Sequence, residues 1–270
     1  MCKCLGISTS SFYDYKKGPQ KCEHSQQLER RVIGIFKEHK RRYGTRRIVS
    51  QLGDEGVKVG RQRVSGILRK YGLKAIQPKS FVPRTTQTDK RLQRFPNLLI
   101  GKKIVEKPNT IWVGDITYLP MMDGGWNYLS TWLDMWSHVI VGFEVLDNME
   151  EKLVIESLKK GILRRSIDPG LIIHTDGGGQ YDSNRFKQLC SQHEMRQSMT
   201  RRNNHYDNAM AESLFSRIKA EMLDGGLKFK DTEDAKTQCF EYIEMYYNTK
   251  RKHSTIGNKN PLQFEREMGY

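Results

Sequence analysis

Apolar positions recur at helical spacing over the first seventy residues and at strand-like density after residue 110, and this change of rhythm divides the chain. In SQQLERRVIGIFKEHK (25–40), Leu28, Val32, Ile35 and Phe36 fall on one face of a helix that Ser25 is placed to cap. RRYGTRRIVSQLGDEG (41–56) predicts a shorter helix, with Thr45 as cap, Ile48, Val49 and Leu52 packing, and Gly53 helping to end it. VKVGRQRVSGILRKYGL (57–73) predicts a third, with Val64, Ile67 and Leu68 inward and Arg61, Arg63, Arg69 and Lys70 outward. Two short helices on a tight connection, the last studded with arginine, suit a helix-turn-helix that lays one helix in the major groove. They suit equally a small bundle with a solvated basic face. In the first case Arg61, Gln62 and Arg63, at the first turn of the last helix, are the residues that reach DNA.

Residues 77–104 have three prolines, many basic residues and weak periodicity, and read as a basic linker over 77–106 that tracks phosphates. After Pro108 the pattern becomes strand-like. TIWVGDITYLP (110–120), WNYLSTWLDMW (126–136) and HVIVGFEVL (138–146) predict three strands, the first two joined by a turn at MDGG. An amphipathic helix (149–165), a short buried strand (170–176), a helix opened by Ser183 or Asn184 (183–195) and a short strand (196–200) follow. Two more helices are expected over 206–223, capped by Asp207 or Asn208, and over 232–249, before a basic tail. Three hairpin strands followed by alternating helix and strand give an α/β fold. Its mixed five-stranded sheet carries helices on both faces, behind a small all-α domain at 1–76.

Charge sharpens the division. Residues 1–104 hold 25 lysines and arginines against 7 acids, a net +18, while residues 105–270 come to −3. A basic first part on a slightly acidic second part looks like a nucleic-acid grip attached to a different machine. No window is apolar enough to span a membrane, no secretion signal opens the chain, and five scattered cysteines argue for a reduced, cytoplasmic protein. Cys2, Cys4, Cys22 and His24 do not match the spacing of a recognised zinc finger.

Three acids stand in unusual places. Asp115 lies mid-strand in IWVGDITYL, where an unpaired charge is costly unless a cation meets it. Asp176 ends the buried strand and runs into three glycines in LIIHTDGGGQYDS. A phosphate loop would want Lys-Ser/Thr after those glycines, and a calcium loop more acids at alternate positions. Glu212 follows Ala211 in the long helix, flanked by small residues that let the helix approach the sheet. If the first and fourth strands are neighbours, Asp115 and Asp176 point at one spot and Glu212 closes a third corner. Oxygen-only ligands suit Mg²⁺ or Mn²⁺, and a pair of such ions can activate an attacking oxygen and steady a leaving one. Lys219, two helical turns after Glu212, would meet the DNA backbone on the same face.

WVGDITYL, HTDGGGQYDS, YDNAMAESLFSRIKAEML and YNTKRKHSTIGNKNPLQFE follow one another as they do in the DDE transposases. The chain most resembles the second-frame (OrfB) product of the IS-three family of insertion sequences. The 35 residues between Asp176 and Glu212 match the spacing in that family and in retroviral integrases. The resemblance implies an RNase H-like integrase core over 107–270, with Asp115, Asp176 and Glu212 as a metal-binding catalytic triad for Mg²⁺ or Mn²⁺, two ions in all. It implies strand cleavage and strand transfer at terminal inverted repeats, on double-stranded DNA and as a homo-oligomer. It also implies a bacterial nucleoid location and a possible fusion with an upstream first-frame product. Lys219, Arg46, Arg47, Arg251 and Lys252 join Arg61, Gln62 and Arg63 as expected DNA contacts. His174, Gln180, Tyr206, Asn208 and Ser213 are expected to support the site. Two departures are Gly177, where many relatives carry Arg or Lys, and Gly114, where many carry Thr. Both leave the carboxylates in place. The rival readings are a DNA-binding regulator with an inert catalytic fold and an RNase H-like nuclease.

Overall fold

The computed structural model describes residues 6, 8–17, 23–77, 95–101, 105–201 and 209–270. Cys2, Cys4 and Cys22, most of the expected linker, and the stretch holding His205, Tyr206, Asp207 and Asn208 lie outside the described residues. Internal contacts divide the chain into two compact units, Met1–Ile76 and Gln77–Tyr270.

The first unit is helical: α1 (Thr9–Lys17), α2 (Glu23–Glu38), α3 (Thr45–Asp54) and α4 (Arg61–Lys70). The sequence pattern did not predict α1, whose TSSFYDYKK offers no apolar stripe; Ser8 starts it by accepting the Ser11 amide at 3.0 Å. Most of the predicted inward residues of α2 to α4 form the core: Val32, Ile35, Phe36, Ile48, Leu52, Val64, Ile67 and Leu68 are buried, while Leu28 and Val49 are half-buried. Gly56 rather than Gly53 ends α3. It takes φ +78°, its amide bonds to Gly53 O, and the Val57 amide reaches Leu52 O, the paired bonds of a Schellman stop. Ion pairs tie the helices together, with Arg31 forked onto Glu55 and Lys70 meeting Glu29 at 2.7 Å.

The second unit is built on β1 (Ile111–Pro120), β2 (Trp126–Asp134), β3 (Ile140–Leu146), β4 (Ile172–Thr175) and β5 (Arg196–Met199). The strand order is β3-β2-β1-β4-β5, so the first and fourth strands are neighbours. The hairpin strands pair antiparallel, while β1 with β4 and β4 with β5 pair parallel. Between and after them run α5 (Glu151–Arg164), α6 (Asn184–Gln192), α7 (Ala209–Met222), α8 (Thr232–Tyr242) and α9 (Pro261–Glu267). A π-helical turn, Ile243–Tyr247, prolongs α8. The cap expected at Ser183 is present, its hydroxyl accepting the Phe186 amide.

Missing side chains set how closely the layers meet. A Cβ on Gly142 would lie 2.3 Å from Ser157 O, so bare backbone on β3 is what admits α5. At Gly114 a Cβ would lie 2.3 Å from the ring of Trp132, the residue paired with it on β2. The fully buried Trp132 fills that space, donates through Nε1 to Ser157 Oγ at 2.9 Å, and stacks on Phe186.

One expectation is corrected here. Arg251 and Lys252 are expected from the sequence to contact DNA, yet they are 0% and 5% exposed. After the π turn the chain dives inward, and the Arg251 guanidinium forks onto Glu221 of α7, Nη2 at 2.6 Å and Nε at 3.0 Å. Glu221 also accepts the Tyr242 hydroxyl at 2.9 Å. A buried cation locked to a buried carboxylate does not present itself to DNA. The expected tail also folds, ending in α9, whose cap Asn260 accepts the Gln263 amide at 2.8 Å.

Candidate active site

The site is assembled by the register of two parallel strands. Ile111 pairs with Ile172 and Val113 with His174, a register that runs toward Asp115 and Asp176, and the Asp176 charge is felt at Asp115. Because side chains alternate, Ile111, Val113 and Asp115 share one face with Ile172, His174 and Asp176. On that face Ala211 of α7 packs, 1% exposed, against Ile111, Val113 and Ile172. A larger side chain there would push the helix off the sheet. The next residue is Glu212, exposed in the first turn of α7, and Lys219 lies half-buried further along the same helix.

The electrostatics show that these groups feel one another. Burial and the neighbouring Asp176 charge push the Asp115 carboxyl up to about 8, with Glu212 adding to the rise and Lys219 opposing it. Burial lowers the Lys219 ammonium while Asp115 holds it up. Asp115 Oδ1 accepts the Ile116 amide at 2.7 Å, and Asp176 Oδ1 accepts the Gly178 amide at 3.0 Å. Gly178 is bare for a reason: a Cβ there would lie 3.0 Å from Asp176 Oδ1 and 2.9 Å from Gln180 Oε1.

The oxygen-only donor set and its crowded negative charge fit a hard divalent cation. Among the described residues no three His, Cys, Asp or Glu side chains are gathered closely enough to enclose a metal ion, so the fit rests on chemistry and register. Asp134 makes the contrast. It too is an aspartate at the end of a strand, but its carboxylate accepts the amides of Asn109, Trp136 and Ser137 at 2.7–3.0 Å and the Ser137 hydroxyl. Protein donors satisfy it, and it is structural.

Of the residues expected to support the site, His174 is buried, with Nδ1 2.9 Å from Ser198 Oγ on β5. Gln180 donates to Met149 O at 2.9 Å, anchoring the glycine turn to the start of α5. Ser213 is exposed. Sequence reasoning missed Tyr181. It is 1% exposed, packs edge-on against Trp132, and its hydroxyl has no hydrogen-bond partner among the described residues. Burial, Asp115 and Asp176 all hold that hydroxyl well above its ordinary range. Its only signal was a place inside HTDGGGQYDS.

In the first unit Arg61, Gln62 and Arg63 are exposed on the first turn of α4, and Arg63 donates to Ser25 Oγ at 2.5 Å. Arg46 is exposed, whereas Arg47 lies against the Tyr43 ring and donates to Arg42 O at 3.1 Å.

Comparison with known proteins agrees with this division. An HTH-like domain family matches residues 23–81, and integrase core domain families match 105–205 and 193–261. The transposase for insertion sequence element IS904 of Lactococcus lactis is 36% identical over 246 residues, 89% of this chain and 96% of its own. Transposase InsF for insertion sequence IS3A of Escherichia coli is 34% identical over 269 residues, 98% and 92% of the two chains. A chain of the simian T-cell lymphotropic virus intasome in complex with PP2A regulatory subunit B56 gamma is 18% identical. It covers 80% of this chain and 69% of its own, at a TM-score of 0.47. With a third of its residues shared along almost its whole length, and with an HTH-like and an integrase core family both matched, the chain belongs to the IS3 (IS-three) family of DDE insertion-sequence transposases.

Proposed function

We propose that this transposase cuts and joins DNA at the terminal inverted repeats of its element through Asp115, Asp176 and Glu212, which hold Mg²⁺ or Mn²⁺, two ions when the site is filled. The observation that supports this reading is the β1–β4 register, which runs toward Asp115 and Asp176, together with the charges of Asp176 and Glu212 felt at Asp115. When bound, such ions supply Lewis-acid chemistry: they activate the attacking oxygen and steady the leaving one.

The chain's own residues do the rest. Asp115, in the middle of β1, and Asp176, just past the end of β4, fix two ligand positions relative to each other. Glu212 supplies the third from a helix seated by Ala211. Lys219, held half-buried within the field of Asp115, is placed to meet a backbone phosphate beside the carboxylates. His174 and Gln180 hold the β4 end and its glycine turn, which keeps Asp176 from swinging. Tyr206, Asn208 and Ser213 adjoin Glu212 in sequence and complete the expected surroundings. Arg61, Gln62 and Arg63 read the repeat in the major groove, and Arg46 contacts its backbone. Holding two element ends at once calls for at least two copies of the chain, working on DNA in the bacterial cytoplasm. Fusion to an upstream first-frame product would add further DNA-binding surface.

Glu212→Gln tests the triad. Mg²⁺-dependent cleavage of a cognate element end should vanish while binding of that end persists; retained cutting overturns the assignment. A regulator with an inert fold would show no metal-dependent cutting in the wild type, and an RNase H-like nuclease would prefer RNA–DNA hybrids to duplex ends.

A further inference from the structure

We propose that Leu98 and Leu99 are positioning residues of the active site: they belong to a strap around the outer strand of the sheet and seat the first turn of α7, which fixes where Glu212 stands. This rests on the reading of Glu212 as the third carboxylate. Residues 95–99 fall in the stretch that the sequence suggested as linker, yet they lie packed on the catalytic unit. β5 is the outer strand beside β4, and its Met199 amide reaches Pro96 O at 3.4 Å. Phe95 packs on the core cluster that holds Trp132, Ile173 and Met199, and the Lys187 ammonium sits over its ring at 5.8 Å. Leu98 and Leu99 pack instead on the cluster of Ile111, Val113, Ile172 and Ala211. Ile172 and Ile173 are neighbours on β4 and point to opposite faces, so the strap passes round the β5 edge from one face of the sheet to the other.

Two hydrogen bonds hold its bend. The Leu99 amide donates to Asn97 Oδ1 at 2.8 Å, and the Leu98 amide donates to Ser198 Oγ at 2.9 Å. Ser198 is 0% exposed and stands 2.9 Å from His174 Nδ1, so the strap is pinned to the strand that leads to Asp176. The seat follows from what α7 lays on the same cluster. Its first turn brings Met210 and Ala211 to the apolar residues on which Leu98 and Leu99 also pack. Ala211 lets the helix come close, but a single methyl group offers few contacts to hold it there. Leu98 and Leu99 supply the larger apolar neighbours of that cluster. Both are half-buried, so trimming them loosens what rests beside them before it empties the core. Neither has to touch metal or DNA; each acts through the placing of Glu212, the residue after Ala211.

The test follows hydrogen exchange and turnover in the full chain. The amides of residues 213–216 bond to carbonyls in the first turn of α7. In the double variant Leu98→Ala, Leu99→Ala they should exchange about tenfold faster, with the amides of β1 and β4 unchanged. Strand-transfer kcat should fall about tenfold through the misplaced carboxylate. The KM for element ends should stay unchanged, because the residues proposed to read those ends lie in the first unit. Leu98→Met with Leu99→Met, which conserves volume, should restore both exchange and kcat. Leu99→Ala alone should move both in the same direction by a smaller factor, and it carries the test if the double variant does not fold. Wild-type exchange in α7 overturns the proposal, and so does exchange that rises equally in β1 and β4, the mark of general core damage. Fast exchange in α7 with wild-type kcat overturns the positioning role and leaves only packing. Glu212→Gln separates the two levels of the argument. Retained cutting there removes the triad reading, whereas lost cutting there beside wild-type kcat in the strap variants overturns the strap alone.

Discussion

Arg251 was expected to touch DNA and is instead sealed inside the catalytic unit, and replacing it with methionine distinguishes the two roles quantitatively. The guanidinium is 0% exposed, makes three hydrogen bonds to Glu221, and holds the C-terminal part of α7 to the segment after α8. Removing one partner leaves the Glu221 charge buried without its guanidinium, and breaking a buried pair in this way costs about 3–5 kcal/mol. In a unit of this size each kcal/mol lowers the melting temperature by roughly 2–4 °C, so Arg251→Met should melt about 6–20 °C below wild type. Combining it with Glu221→Leu should restore much of that loss, because an apolar pair of similar volume replaces a buried ion pair at little net cost. DNA affinity, measured against salt at a temperature where the variant is folded, should keep its wild-type slope. A phosphate contact would instead reduce the slope by about 0.9, the change expected for exposed Arg61→Ala. An unchanged melting temperature together with a reduced salt slope in Arg251→Met would refute the buried-pair argument.

Further tests address packing, capping and chemistry. Gly114→Thr should destabilise the protein by about 1–3 kcal/mol, because its Cβ meets the Trp132 ring; urea unfolding should show Trp132→Val recovering most of the loss in the same chain. Asp234 accepts the Lys230 amide and the Gln238 side-chain amide, which hold its carboxyl below the usual range. Its contribution to stability is therefore present above its unfolded pKa and lost as pH falls through the lower folded value. The melting-temperature gap between wild type and Asp234→Asn should accordingly be open at neutral pH and close under acid. Lys219→Ala should lower strand-transfer kcat more than it weakens binding of element ends, read by single-turnover kinetics beside an affinity titration; equal losses in both would make it an ordinary phosphate contact.

The parts of the fold that the sequence made legible are those whose side chains have one local job. Alternation and β-branching located β1 to β5, and the 3.6-residue rhythm located α2 to α8. The carboxylates stood out because each breaks a local rule: a charge inside a strand, a charge at a buried strand end, a helix start among small residues. What stayed hidden depends on partners distant in sequence. Nothing in TKRKHS marks Arg251 as buried, since Glu221 lies thirty residues away on another helix. Nothing in WVGDITYL explains Gly114 until Trp132 of the facing strand is seen over it. The helix α1 was missed because its TSSFYDYKK has no periodic apolar face, and α9 because seven residues are too few to show one.

Asp115 and Asp134 show why residue type and strand position alone do not decide function. Both are aspartates on adjacent strands of one sheet, both largely withdrawn from water, and a sequence pattern treats them alike. Around Asp134 the chain turns sharply and delivers three amides and a hydroxyl, so its negative charge is neutralised by the fold itself. Around Asp115 the sheet delivers a second carboxylate, and α7 delivers a third with a lysine behind it. The fold raises the charge density there instead of quenching it. Such an arrangement destabilises the resting protein unless a cation enters, which is the property that the proposed metal-binding role requires.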